Sequence, residues 1–473
     1  MSESFDAVVV GSGPNGLAAA ITLAQKGLSV QVLEAEDTFG GGMRSGELTL
    51  PGFVHDICSA IHPLALASPF LSTLPLAEHG LELLQPKVPV AHPLDHGRAA
   101  ALLMSVSQTA EGLGRDAEEY SKLMTPFVRS YAHLVEQFLG PLRPPRHPLS
   151  TSRFGLSAIR SAKGLAGMFE DDRTRALLAG VAAHSILPLD RLATGGFGLI
   201  LAILGHAVGW PVAKGGTQSL AKAMRSLLES LGGQVVTGRE VQTLNDLPPH
   251  RVALLDVGPR QLERIAGERL PRPYRALLRR YRYGPSVFKV DWALDGPVPW
   301  RNEQCREAGT VHLGGTFEQI SASERAVWEG RHVDRPYCII AQQSVVDSSR
   351  APEGKHTLWG YCHVPNGYTV DMSRAIEDQV ERAAPGFRDL VLARTVRTPA
   401  DLERENANYV GGDINGGVQD IRQLFTRPVP KPDPYSTPID GLYLCSSSTP
   451  PGGGVHGMCG YYAAKSALRN EFR

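Results

Sequence analysis

The chain lacks the usual marks of membrane-spanning, nucleic-acid-binding and disulfide-stabilised proteins. No apolar run reaches the ~18–20 residues that a transmembrane helix needs, and the short polar N-terminus carries no export signal. The 48 basic residues balance 48 acidic ones and form no basic run, which argues against nucleic acid as a partner. Six scattered cysteines without a C-x-x-C pair exclude disulfide-reductase chemistry and favour reduced thiols. These absences predict a cytoplasmic protein, and no metal site is expected because metal ligands do not cluster.

The longest apolar run, residues 197–208, leaves two interpretations open. Its length favours a buried core helix over a membrane span. The same helix could instead form one wall of an apolar substrate tunnel or make a monotopic membrane contact. A peripheral membrane contact therefore stays open, as does a homo-oligomer.

A dinucleotide-binding motif opens the chain. β-Branched residues 6–10 predict a buried parallel strand, and a helix follows that ends at Gly27. Between them lies a loop made of Gly11, Ser12, Gly13, Pro14, Asn15 and Gly16. Gly11 permits the tight turn, Gly13 lets the backbone approach a pyrophosphate, and Gly16 lets helix and strand pack closely. The helix N-terminus then offers free N–H groups to the phosphates.

The residues after the second strand favour FAD among the dinucleotides. Glu34 follows strand 28–33 and can accept hydrogen bonds from a ribose hydroxyl, which disfavours NADP. A second glycine cluster, with an arginine beside it, extends the anion site, and NAD domains do not need one. Its candidate cofactor residues are Gly41, Gly42, Arg44 and Ser45.

A second strand–glycine–helix element lies at the end of the chain. Residues 441–445 predict a strand, residues 446–454 a turn-rich loop, and a helix begins at His456 or Gly457. The helix N-terminus would favour negative charge on a bound ligand. The candidate cofactor residues here are Ser447, Gly454, Val455 and His456.

Together these motifs resemble the phytoene desaturase-like branch of FAD-dependent oxidoreductases, which includes carotenoid desaturases, retinol saturase and pyridine nucleotide-disulfide oxidoreductase domain-containing protein 2. The sequences LTLPGFVHDICSAIHPLALASP, RYGPSVFKVDWALDGPVPW and ENANYVGGDINGG carry the resemblance over essentially the whole chain. It implies FAD as cofactor, the terminal helix against the flavin ring, and Val241 meeting the adenine through its backbone. The loop TPPGGG stands where carotenoid desaturases have T-H-P-G-A-G, so substrate identity is not carried over.

The expected fold class is α/β: a glutathione-reductase-like Rossmann FAD domain with an inserted α+β substrate domain. Residues 1–75, 211–260 and 405–473 are assigned to the FAD domain. Residues 76–210 and 261–404 are assigned to the substrate domain, in which residues 116–139 show helical periodicity. No second nucleotide-binding unit is expected, because LGGTF and GGDINGG lack a following helical pattern. The electron acceptor is therefore expected to be oxygen or a quinone.

Flavin chemistry needs few protein groups beyond those that hold a C–H bond near the ring. His456 is the first catalytic candidate, as general base or hydrogen-bond donor, and Tyr409 and Asn415 are the others. His62 is interpreted as structural, and Lys289 and Asp291, which share one strand face, as an ion pair.

The first functional hypothesis is an FAD-dependent oxidoreductase that transfers hydride at a C–C bond of an apolar substrate, by desaturation, saturation or isomerisation. The second is C–N oxidation of the amine-oxidase type. The third is a flavin-bound scaffold or interaction protein with little turnover.

Overall fold

The computed structural model describes residues 4–472. Numbered in chain order, the strands of this part are β1 Phe5–Val10, β2 Val30–Leu33, β3 Ser45–Glu47, β4 Val54–Asp56, β5 Leu83–Leu84, β6 Val88–Pro93, β7 Ala99–Leu102, β8 Val212–Ala213, β9 Gln234–Val236, β10 His250–Leu255, β11 Ser286–Leu294, β12 Ala308–Leu313, β13 Cys338–Ala341, β14 His356–Val364, β15 Val391–Arg397 and β16 Leu442–Leu444.

The helices of the same part, numbered likewise, are α1 Pro14–Ala24, α2 Pro63–Ala67, α3 Val106–Glu111, α4 Ala117–Arg129, α5 Tyr131–Phe138, α6 Pro148–Ala158, α7 Ala162–Ala166, α8 Asp172–Ala183, α9 Thr194–Ala207, α10 Gln218–Ser230, α11 Pro259–Ala266, α12 Arg272–Leu278, α13 Glu303–Arg306, α14 Phe317–Trp328, α15 Gln343–Val346, α16 Ser373–Ala383, α17 Pro399–Glu405, α18 Ile421–Leu424 and α19 Met458–Glu471.

The first sheet is parallel and has the order β16-β10-β1-β2-β9. Its central strand β1 is buried on both faces, which is why it consists largely of valine and alanine. Helices α1, α10 and α19 cover one face and bury a continuous apolar cluster with the strands. The predicted α/β class with a Rossmann-like dinucleotide domain is confirmed.

The second sheet roofs the first and has the order β15-β11-β14-β13-β12-β6-β7. Its pairs are antiparallel except β12 with β6. Helices α3 to α9 form a cap beside it, with their own apolar core. Helix α9 is this cap's most apolar element, and it lies inside the protein.

The structure corrects two expectations. The helical segment 116–139 divides at Ser130 into α4 and α5, since Pro126 inside α4 weakens the end of that helix. Strand β12, two glycines and α14 do form a strand–glycine–helix element at LGGTF, where no helix was expected. A capping box of Thr316 and Gln319 closes the N-terminus of α14, and this N-terminus does not line the cavity described below.

The closest helix contact joins the two ends of the chain. A Cβ atom built on Gly460 of α19 would lie 1.8 Å from the carbonyl oxygen of Asn15 in α1. One built on Gly457 would lie 2.9 Å from Cβ of Ala18. Because these glycines leave no side chain between the helices, both N-termini reach the same edge of the first sheet.

Gly16→Ala tests the close packing at the first glycine loop. A Cβ built on Gly16 would lie 2.0 Å from the carbonyl oxygen of Gly11, so the backbone must move. We expect the free energy of unfolding to fall by about 2–3 kcal/mol, measured by urea denaturation. Gly155→Ala is the control, because the exposed α6 has open space at this position. We expect this substitution to raise the free energy of unfolding by roughly 0.5–1 kcal/mol. Equal effects of the two substitutions would contradict the packing argument.

Candidate flavin and substrate site

A large cavity of about 1030 Å³ runs between the two sheets and under the helical cap. One end is lined by the glycine loop before α1, and the middle by the loop before α19. The other end lies between α9 and the inner face of the second sheet. The three regions differ in chemistry.

The backbone of the first glycine loop allows a ligand to approach closely. A Cβ on Gly41 would lie 3.0 Å from Cα of Gly13, so the two glycine clusters touch backbone to backbone. Gly11, with φ of +96°, adopts a conformation that L side chains rarely take. This leaves the N-terminus of α1 open to a ligand on its polar side, as a pyrophosphate requires.

Glu34 and Arg44 flank this loop. One oxygen of Glu34 accepts the N–H of Ser12 at 2.9 Å and its hydroxyl at 2.5 Å, and the other accepts the N–H of Glu36 at 3.1 Å. A carboxylate has about four acceptor positions, so one is left for a ribose hydroxyl. Arg44 donates to the carbonyl oxygens of Gly41 and Glu405, which ties the second glycine cluster to a distant segment.

Asp256, at the end of β10, lies beneath the glycine loop and was not among the expected residues. Its Oδ2 accepts the N–H of Gly16 at 2.9 Å, and a Cβ on Gly13 would lie 2.8 Å from the same oxygen. Burial raises the pKa of this carboxyl to about 7; the N–H of Gly16 opposes the shift, and the charge of Glu34 adds to it. The carboxyl therefore changes charge near neutral pH.

The second loop places His456 against the cavity in a defined protonation state. His456 Nδ1 accepts the N–H of Met458 at 3.0 Å, so the proton of the neutral ring is on Nε2. Nε2 is buried and makes no hydrogen bond of normal geometry with the described residues. Burial lowers the pKa of His456 to about 4, and the backbone of Gly452 and Gly453 opposes this shift. This geometry favours the hydrogen-bond donor role over the general base.

His62, expected to be structural, also lines the cavity. Its Nε2 lies 3.0 Å from the hydroxyl of Thr217, which itself donates to the carbonyl of Ser59. Nε2 of His62 is therefore the donor, and Nδ1 is a buried acceptor without a partner in the described chain. Burial lowers the pKa of His62 to about 4. No local motif marks this role, since it depends on a contact across 155 residues.

The segment before the last strand brings several polar residues to the cavity, among them Asn408, Tyr409 and Asn415. Tyr409 lies against Gly42. The side chain of Asn408 also accepts the N–H of Gly258 and donates to the carbonyl of Asp256. Asp413 accepts N–H groups of its own loop and of Gly284, so it holds the loop's shape.

The structure brings most of the expected cofactor residues to this cavity. Those that line it are Gly11, Gly13, Pro14, Asn15, Glu34, Gly41, Gly42, Arg44, Val241, Ser447, Gly454, Val455 and His456. Gly16 does not line it and acts in packing, as described above. Ser45 does not line it either, because its hydroxyl donates to Asp56 and accepts the N–H of Gln218.

Lys289 and Asp291 form the expected ion pair, which is fully buried and shared with Arg397. Neither residue of the pair lines the cavity. In a second buried group, Arg350 lies 2.9 Å from Asp56 at the end of β4 and 3.1 Å from Asp347 in its own segment. Both clusters are structural, because each charge has its partner.

The far end of the cavity is apolar. Segments 60–64, 154–210 and 310–361 bring no Asp, Glu, Lys or Arg side chain to it. Its walls include Ile61, Phe154, Ile159, Phe197, Ile200, Leu201, Ile339 and Tyr361. Helix α9 thus forms one wall of an apolar cavity. No helix in residues 4–472 is long and apolar enough to cross a membrane.

The cavity fits an FAD molecule. Two helix N-termini meet at it, glycines leave room for a pyrophosphate, and an acid ends β2. Asn15 Oδ1, His62 Nδ1 and His456 Nε2 are buried polar atoms that line it without a protein partner. Together these features define a flavin-binding protein of the glutathione-reductase-like class.

The comparisons with known proteins agree with this class. Residues 9–69 match the family model of the NAD(P)-binding Rossmann-like domain. The chain is 27% identical to rat (Rattus norvegicus) pyridine nucleotide-disulfide oxidoreductase domain-containing protein 2, over 99% of this chain and 94% of that protein. It is 24% identical to 4,4′-diapolycopen-4-al dehydrogenase of Metabacillus indicus, over 94% and 93% respectively. Putrescine oxidase with bound putrescine shares the fold, with a TM-score of 0.63, 17% identity and coverage of 99% and 100%.

The chain is an FAD-dependent oxidoreductase, and its predicted resemblance to the phytoene desaturase-like branch is confirmed by these relatives. The expected cofactor, FAD, is confirmed with it.

Asp256→Asn tests the electrostatics of the phosphate site. Above pH 7 the Asp256 carboxyl ionises beside the glycine loop, where it repels a pyrophosphate. We expect FAD affinity to fall several-fold between pH 6.5 and 8.5 in the wild type. The amide of the variant stays neutral over this range and should remove most of that change.

The measurement is the dissociation constant of FAD from titration of the apoprotein by flavin fluorescence. Asp334→Asn, at a side chain that is 96% exposed, is the control and should behave like the wild type. The same pH dependence in wild type and Asp256→Asn would show that Asp256 does not face the phosphates.

Proposed function

We propose that the protein transfers hydride at a C–C bond of an apolar substrate, by desaturation, saturation or isomerisation. The observation that carries this proposal is the uncharged far end of the cavity, formed by α9 and the second sheet. A buried wall of this kind favours an apolar substrate because an unpaired charge there would be costly. Bound FAD supplies the two-electron hydride acceptor or donor.

The protein's own residues then bind and orient the substrate and exclude water. Residues Phe197, Ile200 and Leu201 present one apolar surface, and Ile339 and Tyr361 the opposite one. His456 and His62 both line the cavity, His456 Nε2 as a neutral donor and His62 Nδ1 as a neutral acceptor. Their lowered pKa values keep both rings uncharged at neutral pH. In the desaturation direction, the two electrons pass from the reduced flavin to oxygen or a quinone.

Amine oxidation is the second candidate, and the fold shared with putrescine oxidase supports it. A diamine substrate carries positive charge at neutral pH and is best held by a carboxylate. The segments that form the far end of the cavity bring no carboxylate to it. The Metabacillus indicus relative, by contrast, is named for an aldehyde of a long hydrocarbon. A flavin-bound scaffold with little turnover is the third candidate.

The deciding experiment is anaerobic mixing of the holoenzyme with phytoene, whose saturated CH₂–CH₂ bonds can lose hydride, or with putrescine. We expect phytoene to bleach the oxidised-flavin absorbance and putrescine to leave it unchanged, because the far end of the cavity offers no carboxylate to an ammonium group. Oxygen and a soluble quinone are then added separately to identify the acceptor. Bleaching by putrescine alone would support the amine-oxidase candidate. Bleaching by neither, with no reoxidation of the photoreduced flavin by a conjugated polyene, would support the scaffold.

We further propose that the mouth of the cavity contacts an anionic membrane surface. Leu149 and Leu156 of α6 are 89% and 76% exposed. The exposed Leu142, Ile159 and Phe425 also line the cavity, so the apolar surface is continuous with its interior. Residues 137–169 contain no Asp or Glu, and their basic residues are Arg143, Arg146, Arg153, Arg160 and Lys163. Exposed leucines among basic side chains are typical of interfacial helices.

Vesicle co-sedimentation tests this contact with the double variant Leu149→Glu, Leu156→Glu. We expect the wild type to bind vesicles of phosphatidylglycerol and phosphatidylcholine and the variant to lose at least tenfold in affinity, since it removes apolar area and adds negative charge. Leu392→Glu, at a leucine that is 46% exposed on β15, is the control. Equal binding by the double variant and the control, or equal binding to neutral vesicles, would refute the proposal.

A further inference from the structure

The inner face of the second sheet places polar side chains in register across three strands. Thr310 of β12 pairs with Ala341 of β13, and Ala341 pairs with Trp359 of β14. Residues paired in this way share one face of the sheet. Thr310 and Trp359 both line the cavity, so this row faces its apolar end.

Two hydrogen-bonding atoms in this row are unused. Thr310 Oγ1 and Trp359 Nε1 are buried and have no hydrogen-bond partner within residues 4–472. The residues are 1% and 6% exposed. Buried polar atoms are nearly always satisfied in folded proteins, so two unused ones on one wall of a ligand cavity indicate a partner in the ligand.

A third polar group lies against the same face of β12, because His312 is two residues from Thr310 on this strand. His184, which follows α8, lines the cavity, and its Nε2 lies 3.0 Å from Nε2 of His312 on β12. Burial lowers the pKa of His184 to about 3, so this ring is neutral. The hydrogen bond to His312 leaves Nδ1 as the remaining polar atom of the His184 ring.

The chemistry of these groups restricts the ligand. An indole N–H only donates, and a hydroxyl donates or accepts, so the matching ligand atom is an acceptor. The segments that form this end bring no charged side chain to the cavity. The ammonium of Lys289, 5.6 Å from the centre of the Trp359 ring, is already paired with Asp291, so a ligand carboxylate or ammonium group would be buried without a free counter-charge. An uncharged oxygen, as in a ketone, aldehyde or alcohol, satisfies both conditions.

We infer that the substrate is an apolar molecule with one uncharged oxygen, which accepts hydrogen bonds from Trp359 and Thr310. This inference rests on the proposed function only in that the apolar end of the cavity binds the substrate. The oxygen fixes the molecule along the cavity and thereby selects the bond that faces the flavin-binding region.

Four nine-carbon probes test the inference on the holoenzyme: nonan-2-one, nonane, nonylamine and nonanoate. Their dissociation constants are measured from the change in flavin absorbance on binding, without turnover. We expect nonan-2-one to bind about tenfold more tightly than nonane, and both charged probes to bind more weakly than nonane. Equal binding of ketone and alkane, tighter binding of a charged probe, or no binding of any probe would overturn the inference.

Trp359→Phe and Thr310→Val identify the residues that bind the oxygen. Each substitution should weaken the binding of nonan-2-one about fivefold and leave the binding of nonane unchanged. Thr357→Val is the matched control, because Thr357 Oγ1 is also buried and unpartnered but does not line the cavity. If both variants weaken the binding of ketone and alkane equally, the two residues only pack against the ligand and the inference fails.

Flavin reduction is a separate readout. If the protein binds the ketone more tightly than the alkane but no apolar substrate reduces its flavin, this inference is supported and the proposed function is refuted. If apolar substrates reduce the flavin but ketone and alkane bind equally, the proposed function is supported and this inference is refuted.

Discussion

The close packing of α1 against α19 is the contact on which the rest of the site depends. The two helices come from opposite ends of the chain, and Gly457 and Gly460 let their backbones approach Ala18 and Asn15. Because each helix begins at a glycine-rich loop, this contact brings both loops to one cavity. Ser68 secures the second loop by donating to the carbonyl of His456 at 2.6 Å. A side chain at Gly460 would separate the loops and divide the site.

Charge is distributed unevenly along the cavity, and this distribution separates two tasks. The nucleotide end holds ionisable groups such as Glu34, Arg44 and Asp256, while the far end holds none except neutral histidine and tyrosine. Between them, His62 and His456 keep low pKa values because they are buried. A charged dinucleotide can therefore be held at one end while an apolar molecule is desolvated at the other.

Local sequence patterns predicted the part of the fold that local interactions determine. The first glycine motif, β11 and α9 could be found because periodicity and glycine spacing act within about thirty residues. The helix after β12 was missed because its signal is a capping box, Thr316 with Gln319, rather than an apolar stripe. Asp256, His62 and the row of Thr310 and Trp359 were missed because their roles arise from contacts across more than a hundred residues or from strand register.

The same fold serves both amine oxidation and reactions of long hydrocarbons, so the fold does not determine the substrate. What differs between such proteins must lie in side chains that can change without altering the backbone. The inner face of β12 to β14 meets this condition, since each of its residues points into the cavity or away from it by strand alternation alone. In this chain the face lines the cavity with Thr310, Ile339, Trp359 and Tyr361, none of which is charged. An uncharged wall that carries the Thr310 hydroxyl and the Trp359 indole can orient an apolar substrate, and a carboxylate on the same wall would select an amine.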